Sequence, residues 1–132
     1  MHHPPVADIQ QHIEVDHNPR PNEIALRDFL SKAAKNCRAS FLVSAGHIHN
    51  YERGVVEGVT YLVSGGGGAP PYFVERTPDD LYKSILFPNY HYVKLTLQKD
   101  RLHAAMYRVE NPEAENLTVE LKDSFDIVAK PR

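Results

Sequence analysis

Ala39-Ser40-Phe41-Leu42-Val43-Ser44-Ala45-Gly46-His47-Ile48-His49-Asn50-Tyr51-Glu52-Arg53 passes from an apolar run into a pair of histidines. The run has the length of a strand and ends at Gly46, so residues 39–45 are predicted to form a central strand that feeds a loop. In an extended backbone the side chains at i and i+2 point to the same side, whereas a helix would put them on nearly opposite faces. His47 and His49 are therefore expected to face one metal cluster. Imidazole nitrogens suit zinc, iron, manganese and similar ions. Taken alone, the pair reads better as two partly exposed loop histidines.

Upstream, residues 1 to 21 hold four prolines and four histidines with little periodicity, which predicts an irregular loop ending at Pro21. A helix follows to about Asn36, with Asn22 as N-cap, Glu23 in the first turn, and Ile24, Leu26, Phe29, Leu30 and Ala33 near helical spacing. Downstream, Val55-Val56 and Val59 to Val63 flank Glu57-Gly58, the signature of a tight hairpin. Gly65 to Gly68 form either a flexible lid or a close-packed floor. Residues 70–90 read as a long surface excursion. His91 to Leu97 and Leu102 to Val109 make a second hairpin around Lys99-Asp100, and Phe125 to Val128 a last short strand. The pattern is an α/β arrangement, sheet-dominated with one main helix.

Lys plus Arg (15) nearly balances Asp plus Glu (17), and a net charge of −2 provides no long-range field for a polyanion. Nucleic acid is not an expected partner. No apolar run reaches bilayer length and residues 1–5 lack the features of a signal peptide, so a soluble chain without membrane association is expected. The only cysteine, Cys37, excludes a disulfide or a thiolate zinc cluster within one chain.

Gly46-His47-Ile48-His49-Asn50-Tyr51-Glu52-Arg53 resembles the Gly-His-x-His-x-Tyr-Glu-Arg signature of purple acid phosphatases and their bacterial relatives among the calcineurin-like metallophosphoesterases. His2-His3-Pro4-Pro5 is similar to the family's upstream His-x-Pro motif, and Gly58 to Gly68 to its following strand and glycine loop. The resemblance implies that His2 and His47 bind one metal ion and His49 the other, in a pair of divalent or trivalent ions (Fe, Zn or Mn). Glu52 and Arg53 are expected to act behind the ligands as an ion pair that fixes the loop. His3 occupies a variable position beside a ligand, and His12 and His17 lie where relatives place substrate-facing histidines, although solvated loop residues are the simpler reading. Tyr51 is expected to pack, and His91 and His103, without evident partners, to have ordinary structural roles.

The resemblance further implies a metal-dependent phosphoric-ester hydrolase acting on a phosphomonoester or phosphodiester, within a four-layer αββα sandwich. The family's early carboxylate motifs do not occur here, so residues 1–132 are expected to be a single partial domain, the C-terminal part of that fold. The isolated chain should then turn over slowly and associate, either with itself or with a missing N-terminal half. The alternative is a non-catalytic assembly module with at most a structural metal.

Overall fold

The computed structural model describes residues 1–8 and 18–130. Its only helix among them, α1 (Pro21–Asn36), starts one residue before the expected cap, because Pro21 supplies a preset φ and has no N–H to leave unpaired. Arg20 is the N-cap, and Glu23 accepts the Arg20 backbone N–H at 2.8 Å. The strands are β1 (Phe41–Ala45), β2 (Tyr51–Val56), β3 (Val59–Ser64), β4 (His91–Leu97), β5 (Arg101–Val109) and β6 (Val119–Val128). The chain is mixed α/β and sheet-dominated, as expected.

The strands form two three-stranded sheets, ordered β1-β3-β2 and β4-β5-β6. β1 runs parallel to β3 and β2 antiparallel to it. The strand in the middle is therefore β3, and β1, expected at the centre, stands at the edge. A parallel partner lies beyond a crossover and is not specified by local pattern. The β2–β3 hairpin turns at Glu57 (φ 49°) and Gly58 (φ 80°), the two left-handed positions that match the twist of the flanking strands. β4-β5-β6 is an antiparallel meander with an irregularity between Met106 and Tyr107.

Alternation along β3 explains the layering. Val59 and Tyr61 face α1, packing with Ala34 and Leu30 together with Phe41 and Val43 of β1. Leu62 faces the other way, into a core with Tyr51, Tyr82 and Met106 that Leu42, Val93 and Phe125 complete. Each fully buried aliphatic side chain contributes about 1.5–3 kcal/mol. Covered on both faces, β3 holds β1 and β2 in place and thereby sets the loop that follows β1.

Residues 65–90 contain no helix or strand, as expected of an excursion, yet Val74, Asp80, Tyr82 and Asn89 are buried. The segment is tied to β2 and to itself: Asp80 accepts from the Arg53 and Tyr82 amides at 3.1 and 2.8 Å, and the Leu81 amide donates to the Arg53 carbonyl at 2.7 Å.

Candidate metal centre

The chain start lies against the end of β1 like a short parallel strand. The Met1 amine donates to the Ser44 carbonyl at 2.9 Å, and the Gly46 amide to the carbonyls of Met1 and His2 at 3.3 and 3.1 Å. This brings His2 and His3 to His47, more than forty positions away. One ligand nitrogen from each of His2, His3 and His47 falls within 4.8 Å of the others. His47 Nδ1 and His2 Nε2 are 3.2 Å apart. Two imidazole nitrogens on one tetrahedral zinc, each roughly 2.0–2.1 Å from the ion, would stand about 3.3–3.4 Å apart. The donor set and its spacing fit a borderline transition ion.

His49 does not join this group. Its Nδ1 lies 2.8 Å from the Pro70 carbonyl oxygen and its ring stacks on Tyr72 at 4.2 Å. The expected shared face fails because the backbone is not extended: His47 has φ 67°, a left-handed conformation that breaks the alternation on which the i, i+2 argument depends. Since a carbonyl only accepts, Nδ1 of His49 is the donor in this contact, and in a neutral ring Nε2 would be the nitrogen left with a lone pair. His47 and His49 thus present their rings to different surroundings.

The glycine loop is a floor at its first two positions. A Cβ on Gly65 would lie 2.0 Å from the Ile48 carbonyl oxygen, and one on Gly66 2.4 Å from His91 Nδ1. Ile48, fully buried between the two histidines, packs with Val63 and Val74. Gly67 and Gly68 meet nothing within 4 Å. The loop that carries both histidines is therefore clamped from below by backbone contact.

Glu52 and Arg53 do not pair with each other, because successive strand residues point to opposite faces. Arg53 reaches Asp123 of β6, with Nε to Oδ2 at 2.7 Å and a terminal nitrogen to Oδ1 at 3.1 Å, and its guanidinium covers the Phe125 ring. Tyr51, buried as expected, donates its hydroxyl to the same Asp123 at 2.9 Å. Glu52 turns inward and is buried with Asp8 and Asp80. Its Oε2 accepts the Asp8 amide at 2.8 Å. Burial, reinforced by the charges of Asp8 and Asp80, pushes Glu52 up to about 8, and burial raises Asp8 to about 6. Arg76 is the cation of this group, 2.8 Å from Asp80 and 4.0 Å from Asp8.

Sequence reading missed Asp8, Arg76, Asp80 and Asp123, since each acts across a long sequence separation. The Asp80 and Arg76 pair at i, i+4 in a proline-rich loop carries no helical signal. His12 and His17 lie outside the described residues. His91 is a satisfied core histidine, with Nε2 3.0 Å from Ser64 Oγ and Nδ1 2.9 Å from the Asn89 carbonyl, and its burial lowers its basicity. His103 also has a partner, Asp126, at 2.7 Å.

No protein-family model, no curated protein and no solved structure matches this chain. Among the described residues, no helix is long and apolar enough to cross a membrane.

Proposed function

We propose that this chain is the histidine-donating part of a metal-dependent phosphoric-ester hydrolase of the calcineurin-like, purple acid phosphatase type. The observation that carries the reading is the convergence of His2, His3 and His47 on one point from two distant loops. In this reading His2, His47 and, by its position, His3 hold one ion, and His49 offers Nε2 to a second. Such ions, Fe, Zn or Mn, would neutralise the charge of a phosphomonoester or phosphodiester and polarise its P–O bonds. The chain's own part is geometric. Pro70 fixes the His49 tautomer, Tyr72 supports its ring face, and Gly65 sets the height of Ile48 between the two histidines.

The helix and two sheets would be part of a four-layer αββα sandwich, with residues 1–132 as one partial domain. The β1 edge and the inner face of β4 support association with further polypeptide. Val93 of β4 packs in the core, while Leu95 and Leu97 on the same side are 48% and 81% exposed. The partner would be another copy or a missing N-terminal half. Light scattering after size exclusion across a dilution series tests this, and a monomer at all concentrations refutes it.

A second reading, a non-catalytic assembly module with at most a structural metal, is favoured by one observation: the three-imidazole group includes no carboxylate among the described residues. Cobalt(II) titration combined with hydrolysis of p-nitrophenyl phosphate separates the two. Slow turnover abolished by His47→Ala supports the hydrolase. Cobalt binding without His47-dependent turnover supports the module, and no cobalt binding sinks the hydrolase.

A further inference from the structure

A cavity of about 810 Å³ opens between the Pro5–Asp8 segment, the start of α1, the outer side of β2 and the Thr77–Asp80 turn. Its apolar wall includes Val6, Ile24, Tyr61 and Val63, and Asp8, Glu52 and Asp80 line one side. These carboxylates are each only 4% exposed. Asp80 is answered by Arg76, and Asp8 Oδ1 accepts from the Thr77 amide and hydroxyl at 3.1 and 2.5 Å.

Glu52 differs. Among the described residues, its Oε1 is buried without a hydrogen-bond partner and Oε2 accepts only the Asp8 amide. Arg76 cannot turn to it, since four of its N–H bonds are already directed at Ser84, Tyr51, Asp80 and Asn50. A carboxylate removed from water and left with one hydrogen bond demands either a proton or a cation. Among the described residues Glu52 has no guanidinium or ammonium partner, since Arg76 serves Asp80 and Asp8. A single metal ion does not suit them, because the only three-residue set of ligand atoms within 4.8 Å among the described residues is the histidine group. A cation with several spread N–H donors and an apolar body does suit them.

We propose that this cavity is a binding site for an organic cation, an alkylguanidinium or alkylammonium, whose N–H groups bond the Glu52 carboxylate while its chain lies against Val6, Tyr61 and Val63. The site stands apart from the histidine cluster and does not rest on the phosphoesterase reading. The cation belongs either to a free small molecule or to an arginine or lysine side chain of another polypeptide.

The test follows backbone amide shifts of the full chain by NMR on titration with n-butylguanidinium, n-butylammonium and tetramethylammonium, the last carrying charge but no N–H. The expected result is saturable shifts at Val6, Asp8, Glu52 and Tyr61 with the first two probes and none with the third. Glu52→Gln, which keeps the shape of the protonated acid and so the fold, should weaken binding by about tenfold or more, as expected for loss of a charge-assisted bond. Glu57→Gln serves as the control, because Glu57 also lines the cavity but already pairs with Lys35 at 2.9 Å. Equal affinity in Glu52→Gln, or saturation by tetramethylammonium alike, overturns the proposal, as does the absence of saturable shifts with any probe. N-acetyl-arginine methylamide then locates the source. Binding tighter than butylguanidinium assigns the cation to a polypeptide side chain, equal binding assigns it to a free ligand, and both support the site.

Discussion

Two clusters of like groups, one of histidines and one of carboxylates, are assembled under different rules. His2, His3 and His47 gather near the surface, where water screens the approach of one ring to another. Asp8, Glu52 and Asp80 gather in the interior, where every negative charge must be matched or suppressed. Substitutions in the first cluster should leave the metal-free fold little changed. Substitutions in the second should not, and the difference is measurable.

The largest effect should come from removing the interior cation. Arg76→Met leaves Asp80 unpaired and withdraws donors from Tyr51 and Asn50, so urea unfolding should show a loss of roughly 3–5 kcal/mol. A loss below about 1 kcal/mol would mean the carboxylates are not held as charges.

Next is pH. Glu52 is raised to about 8 from an ordinary value near 4.5, so the folded state binds a proton that the unfolded state has released. Stability is therefore highest at the acid end of this window and falls by a few kcal/mol as pH rises from about 5 to 8. Asp8, raised to about 6, adds to the fall over the lower part. The thermal midpoint should track this, and Glu52→Gln should flatten the upper part. A midpoint that climbs from pH 5 to 8 would contradict the burial argument.

At the surface cluster the effects are smaller and conditional. Zinc at about 100 times its Kd should stabilise the chain by about 2.7 kcal/mol, with the gain abolished in His47→Ala and the metal-free stability little changed. Unequal metal-free midpoints of the two proteins would show that His47 has a structural role of its own. Tyr72→Ala removes the ring stacked on His49 and should weaken any ion held there by about tenfold, read by competition with a chromophoric chelator. The smallest effect belongs to His103→Ala. Its pair with Asp126 is solvent-exposed, so the thermal midpoint should not move measurably.

Local pattern carried much of the fold. The Glu57-Gly58 turn, the Lys99-Asp100 hairpin and the apolar run before Gly46 each announced themselves in a few residues. β6 was legible only at its end, because the run Lys122-Asp123-Ser124 breaks the alternation of Val119 to Leu121, and Asp123 is held there by Arg53 across seventy positions. The order β1-β3-β2 was hidden for the same reason: hairpins are local, and a parallel pairing is not. At the site, His2 and His47 were visible as residue types in pattern, and their approach is what the geometry adds. The separation of His49 was not legible, since it depends on one positive φ. The interior carboxylates carried no motif at all; burial alone makes them special.

Asp123 bears on how the molecule opens. One carboxylate of β6 holds both Tyr51 and Arg53 of β2, so it rivets the second sheet to the first across the core. In hydrogen exchange, the amides of β3 and β5, the middle strands on either side of that rivet, should share a single slow opening event, while the outward-facing amides of β1 and β4 exchange earlier by fraying. Replacing Asp123 with Asn would keep a hydrogen-bond acceptor but discard the charge, and the two middle strands should then lose protection together.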